Sequence, residues 1–236
     1  MRRLTLMNLC DHIRLRLLTR KWVFGKPFVE YQPVPLINSA IAKRTVGCQS
    51  RLLMIRECLS AHEITKGIVV DYGCNVAFFS LNLSVEGFFA FGVEENERLL
   101  SIGYTVSNLF GARMFCPIQL RVTLETVDLI PDSDVTLCLS IWHHWVRTMG
   151  LHDATRLLKT IHAKTRRIMF FDTGEREMPQ HYYLPFENKD ARSWLQQYLR
   201  EELGGMVLWL GQHKAFTPGH TEDDKPVMRN LFAVVK

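Results

Sequence analysis

The 236-residue chain contains no run of roughly 18 to 20 uninterrupted apolar residues, so no bilayer-spanning helix can be read from it. Met1-Arg2-Arg3-Leu4 leads into no continuous apolar core before Asp11 and His12, which argues against a secretory signal and for a cytoplasmic protein. Six cysteines (Cys10, Cys48, Cys58, Cys74, Cys116 and Cys138) are scattered without a Cys-x-x-Cys pair. That spacing encodes neither a disulfide framework nor a structural zinc site, and packed, reduced thiols are expected. Repeats and low-complexity tracts are also missing. Acidic residues are scarce at one end only: residues 1–50 hold nine Lys or Arg against two acids, a net of +7, leaving −2 for the rest of a chain whose total is +5.

What is present suits one globular domain, because 47% apolar and 22% charged residues over this length can build a sizeable core. We read residues 1–64 as a basic N-terminal extension with a helical cap and residues 65–236 as the main domain. In the extension, Arg2, Arg3, Arg14, Arg16, Arg20, Lys21 and Lys26 interleave with leucines. Such a segment suits an anionic membrane or a phosphate-bearing partner, and equally a solvated helix face.

Past Tyr31-Gln32-Pro33-Val34-Pro35, a non-helical linker, periodicity predicts a helix through Arg51, Leu52, Ile55 and Leu59. Strands and helices then alternate: strand 68–72, helix 78–86, strand 88–93, helix 95–109, strand 112–116, a short helix near 121–127, and strand 134–139. A helix over 151–162, a strand over 168–172 and a helix over 190–203, stopped by Gly204-Gly205, follow. Strands 206–210 and 231–235 come last, with residues 211–230 read as a loop. Alternation of this kind predicts an α/β fold, a doubly wound and mostly parallel seven-stranded sheet. The last two strands lack a helix between them and are expected to pair as an antiparallel hairpin.

The first strand runs into Asp71-Tyr72-Gly73-Cys74-Asn75-Val76-Ala77 and then a helix, the form of a nucleotide-cofactor turn. Glu94 closes the second strand, where a ribose needs a carboxylate. The turn and the hairpin resemble the class I S-adenosylmethionine-dependent methyltransferases over residues 65–236. That family's turn commonly has an acid and three alternating glycines; Asp71 and Gly73 match, whereas Asn75 and Ala77 replace the second and third. The resemblance implies S-adenosylmethionine as the methyl donor, bound by Asp71, Gly73, Asn75, Glu94 and Ser140, with Gln119 reaching adenine. A nicotinamide turn fits worse, because Phe78 occupies its final glycine position.

After the fourth strand comes Leu139-Ser140-Ile141-Trp142-His143-His144-Trp145-Val146-Arg147. His143 and His144 are candidate catalytic residues, as a base for a hydroxyl or an anchor for a phosphate. Trp142, Trp145 and Arg176 are candidate acceptor contacts. No ligand set for a metal is read. This stretch, with Tyr31 and Cys48-Gln49-Ser50-Arg51-Leu52, resembles the methyltransferase part of bacterial O-antigen chain-terminating enzymes, which methylate a phosphate on a growing polysaccharide. The likeness implies that Tyr31 and Arg51 fold over the donor pocket, Arg51 pairing with the donor's carboxylate. Those enzymes' kinase segment has no counterpart in these residues. The sequence therefore points to a methyltransferase acting on a phosphorylated glycan, glycolipid or small acceptor. An RNA methyltransferase, using the basic extension, and a donor-binding module without activity are the other readings.

Overall fold

The computed structural model describes residues 6–20, 32–34, 42–186, 189–215 and 227–236; Tyr31 lies outside them. Helices α1 (Leu6–Thr19) and α2 (Ala42–Ala61) precede the alternating part of the chain. Strands β1 (Gly67–Tyr72), β2 (Phe88–Glu94), β3 (Phe115–Gln119), β4 (Ser133–Leu139) and β5 (Thr165–Asp172) come next. They alternate with α3 (Phe78–Val85), α4 (Glu97–Phe110) and α5 (Trp142–Ala163). Helix α6 (Ala191–Leu203) leads to β6 (Met206–Ala215) and β7 (Val227–Val235).

The seven strands lie in the order β3, β2, β1, β4, β5, β7, β6. Neighbours from β3 to β5 are parallel, and β7 runs antiparallel to both β5 and β6. Strand order reverses between β1 and β4, so their carboxyl ends open a crevice at that switch point.

Helices cover both faces, as buried strands demand. On one face Leu15 and Leu18 of α1, Leu52, Ile55 and Leu59 of α2, and apolar residues of α3 and α4 share a core with Val69, Val135 and Phe170. On the other, Trp142, Leu157 and Leu158 of α5 and Leu195 and Leu199 of α6 pack on Val70, Cys138 and Phe171. The described part of the first 64 residues thus contributes to the core beneath the sheet. Arg98 of α4 donates to the carbonyls of Leu18 and Arg20, tying down the end of α1.

Local chemistry explains the element ends. Asn96 caps α4, its side chain accepting from the Arg98 and Leu99 amides, and Gly111 ends that helix at φ 68°. The helix consequently runs past its predicted end, and β3 begins at Phe115 rather than at 112. Pro117 sits in β3 without leaving a gap in the ladder. The Ala90 amide donates to the Met114 carbonyl and the Leu120 amide to the Glu94 carbonyl, so alternation turns the nitrogen of residue 117 outward on this edge strand.

Two further differences matter for the site. Helix α5 is two helical segments that meet at Gly150, whose φ of 81° and ψ of 163° are non-helical; the predicted helix from 151 is the second, and the first, from Trp142, is not predicted. The expected short helix near 121–127 is a 3-10 turn at Val127–Leu129. The hairpin arms extend to Ala215 and back from Val227, pairing His213 with Arg229 and Gln212 with Asn230. Among the described residues, no helix is long and apolar enough to cross a membrane.

Candidate active site

The turn after β1 holds three alternating residues in the left-handed region: Gly73 at φ 71°, Asn75 at 56° and Ala77 at 62°. These are the three positions at which the sequence pattern expects glycine. Only Gly73 adopts the conformation without steric cost. A side chain there would also press within 2.9 Å of Ile141 Cδ1, so its absence lets Ile141 close over the turn. Ala77 begins α3 with no side-chain cap of its own. Gln32 supplies one from a distance, its Oε1 accepting from the Phe78 amide at 3.1 Å.

Glu94 is drawn to the same place. Its carboxylate accepts from the amides of Asn75 (3.0 Å) and Asn96 (2.9 Å), which fix it beside the turn. Burial raises its pKa, against the opposing pull of those two bonds. Asn75 Oδ1 is buried and has no hydrogen-bond partner among the described residues. Asp71 lies beneath the turn, accepts from Ser80 Oγ at 2.5 Å, and is pushed by burial up to about 7.

These groups form one wall of a cavity of about 890 Å³ at the carboxyl edge of the sheet. Arg51, Ser140, His143, His144, Trp145 and Arg229 are also in its lining, with Arg147, Met178 and Tyr182. The cavity therefore joins the cofactor-type turn to the start of α5.

On the α5 side, His143 is buried, with Nδ1 2.9 Å from the Gly174 amide nitrogen and 3.1 Å from Thr173 Oγ1. Burial holds its pKa well below the ordinary histidine value, and His144 and Arg229 add to the shift. His144, 4.3 Å away between ring centroids, is lowered to about 4, chiefly by burial and then by Arg147 and Arg229. Both imidazoles are neutral at neutral pH. Arg147 donates to the Tyr182 hydroxyl at 3.2 Å.

Behind the histidines lies a buried polar network. Asp172, ending β5, accepts from the Ser140 amide (2.7 Å), Ser140 Oγ (2.8 Å) and Arg51 Nη1 (2.9 Å), and His213 Nε2 stands 3.2 Å away. Burial alone would raise the Asp172 carboxyl, but Arg51, His213 and Arg229 hold it well below the carboxylate range. Arg229 donates to Glu177 Oε1 at 2.6 Å and to Ser140 Oγ at 3.2 Å. Glu175 accepts from both the backbone and the side chain of Asn230 and is pushed by burial up to about 7.

Of the residues singled out in the sequence, Arg51, Asp71, Gly73, Asn75, Glu94, Ser140, His143, His144 and Trp145 meet at this cavity. Arg51 does so bound to a protein carboxylate, Asp172. Three others lie elsewhere. Gln119 is exposed and outside the lining, which is taken up there by Leu120 to Glu125. Trp142 is fully buried against Phe171 and Tyr198, because the first turn of α5 points it at the sheet. Arg176 is exposed and donates to the Lys189 carbonyl. Tyr31 falls outside the described residues.

Sequence reasoning missed Gln32, Arg147, His213 and Arg229. Arg147 was within reach, since it stands four residues after His143 on one helix face. Among the described residues no group of three or more His, Cys, Asp or Glu side chains is placed to hold a metal ion.

The strand order, with β7 alone reversed, and the turn beside Glu94 define the fold of the class I S-adenosylmethionine-dependent methyltransferases. No protein-family model matches the chain, and no curated protein does. Solved structures do. The bifunctional kinase-methyltransferase WbdD superposes with a TM-score of 0.72 at 21% identity, over 94% of this chain and 46% of that one. The chain spans 40–47% of the WbdD chains it matches. Magnesium protoporphyrin IX methyltransferase (ChlM) from Synechocystis PCC 6803, with bound S-adenosylmethionine, gives 0.60 at 13% identity over 96% of both chains. Precorrin-6y C5,15-methyltransferase from Geobacter metallireducens GS-15 gives 0.53 at 14% identity, over 87% of this chain and 93% of that one.

Proposed function

We propose that the protein is an S-adenosylmethionine-dependent methyltransferase that methylates an oxygen of a phosphorylated glycan, glycolipid or small anionic acceptor. The observation that carries this reading is the single cavity with unlike ends. Oxygen acceptors, Glu94 and Asn75 Oδ1, line one end, and neutral histidines with Arg147 and Arg229 line the other.

The orphaned Asn75 oxygen and the remaining lone pairs of Glu94 fit a ligand that brings hydroxyl and amino hydrogens. In this reading Glu94 accepts from the ribose hydroxyls of the donor and the backbone at Gly73 and Asn75 allows close approach. Arg51 stands at the end of the pocket that would receive the donor's carboxylate, and Tyr31 would lie over it. When bound, the sulfonium supplies an electrophilic methyl carbon. The chain's own work is alignment: His143, His144 and the two arginines orient the acceptor oxygen toward the turn. Neither histidine needs to remove a proton from an acceptor that is already anionic. The pairing of kinase and methyltransferase in WbdD is consistent with such an acceptor.

Calorimetry with S-adenosylhomocysteine tests the donor half, and E94A is expected to weaken that binding by at least about tenfold, or 1.4 kcal/mol. The acceptor half is tested by transfer of labelled methyl into cell extract separated into lipid, glycan and RNA pools. Label in the glycan or lipid pool supports the reading; label confined to RNA overturns the acceptor class, and no donor binding overturns the activity.

A further inference from the structure

His143 is oriented by its neighbours in a way that fixes which of its nitrogens carries the proton. Its Nδ1 lies 2.9 Å from the Gly174 backbone nitrogen, whose hydrogen is set by peptide geometry and can only be donated. Nδ1 must therefore present its lone pair. The Thr173 hydroxyl, 3.1 Å from the same atom, supplies a second donor. A neutral ring with its lone pair on Nδ1 carries its hydrogen on Nε2. Adding a proton at Nδ1 would set two hydrogens against each other across the contact with Gly174.

Every element packed around the ring agrees. Arg147 and the neutral His144 face it from α5, Tyr182 from the following 3-10 turn with ring centroids 5.7 Å apart, and Arg229 from β7. The carboxylate that favours a charged ring, Asp172, is committed to Arg51 and Ser140. No hydrogen bond among the described residues engages Nε2, although the residue lines the cavity.

We propose that Thr173 and Gly174 are positioning residues that lock His143 as an Nε2–H donor to the acceptor oxygen, so that it anchors the acceptor and never serves as a base. The acceptor part rests on the methyltransferase reading; the tautomer does not.

The test is a long-range proton–nitrogen correlation spectrum of the full chain labelled with ¹⁵N-histidine, its signals assigned by loss in H143N. The expected pattern is an unprotonated Nδ1 and a protonated Nε2, unchanged from about pH 8 to about pH 5.5. A ring protonated at Nδ1, or a cationic one in that range, overturns the proposal. T173V should move the Nδ1 signal toward that of a free, unprotonated nitrogen while the tautomer holds; an unmoved signal removes Thr173 from the role. In the methyl-transfer assay H143Q, which keeps an amide donor near the Nε2 position, should restore most of what H143A loses, and equal loss in the two would count against a donor role. Binding of S-adenosylhomocysteine does not depend on this tautomer, so the proposal and the activity assignment fail separately.

Discussion

Ala77 holds a left-handed backbone at φ 62° with its methyl fully buried, and two opposing effects of similar size meet there. Glycine would remove roughly 1–2 kcal/mol of strain but forfeit about 0.8 kcal/mol of methyl burial and add freedom to the unfolded chain. A77G should therefore change stability by less than about 1 kcal/mol in denaturant unfolding. Asn75, also left-handed, tolerates that region better than most residues. Valine does not, and N75V should cost roughly 1–3 kcal/mol and reduce donor binding with it.

Asp71 carries a pH signature. Folded, its carboxyl keeps a proton up to about 7; unfolded, it releases it near 4. Between those values the folded state binds more protons, so this group's stabilising contribution is full at low pH, declines through the window and is level above it. Glu175, pushed up to about 7, has the same sign. D71N should reduce the fall of unfolding free energy between about pH 4 and about pH 7 by up to about 1.4 kcal/mol per pH unit, leaving the share due to Glu175. A slope identical to that of the unaltered protein would contradict the burial of Asp71 beneath the turn.

Among elements, the approach of α4 to the cofactor-type turn depends on Gly103. A methyl there would lie 3.0 Å from Ala77 Cβ and 3.1 Å from the Val76 carbonyl oxygen. G103A should destabilise by about 1–3 kcal/mol through overpacking. In the A77G background, where the facing methyl is gone, its cost should fall, a coupling that a double-mutant cycle of unfolding measurements reads directly.

The same element scale shows what could be read from the chain. Strand–helix alternation and the missing final helix were enough for a mostly parallel sheet ending in a hairpin, because apolar strands and periodic helices signal themselves locally. Offsets arose where long-range context decides. Gln212, His213, Arg229 and Asn230 look like loop residues, yet they pair within β6 and β7, where Glu177 accepts from Arg229 and Glu175 from the Asn230 side chain. Gly150 does separate two helical segments of α5, and the earlier one, which carries His143, His144 and Arg147, is too short to show its periodicity in the sequence.

Across the whole molecule, the cavity collects Gln32, Arg51, Asp71, Glu94, His143 and Arg229 from segments nearly 200 residues apart. The turn and Glu94 could be paired from their positions at strand ends. Arg51 could be brought in only by family resemblance, and its engagement with Asp172 could not, since that contact depends on how α2 crosses the sheet. The network from Arg51 through Asp172 and Ser140 to Arg229 joins α2, β5, the turn after β4 and β7 behind the histidines. Fold and site thus share their charged residues, which is why the extension cannot be considered apart from the sheet it covers.

The outward nitrogen of Pro117 bears on how molecules meet in solution. An edge strand with free amides can recruit a matching strand from another copy, the first step toward self-association and aggregation. Proline withholds one such donor at the centre of β3. P117V would restore it on an edge that also exposes Met114 just before the strand. Sedimentation over a rising concentration series should show that variant forming larger species where the natural chain does not.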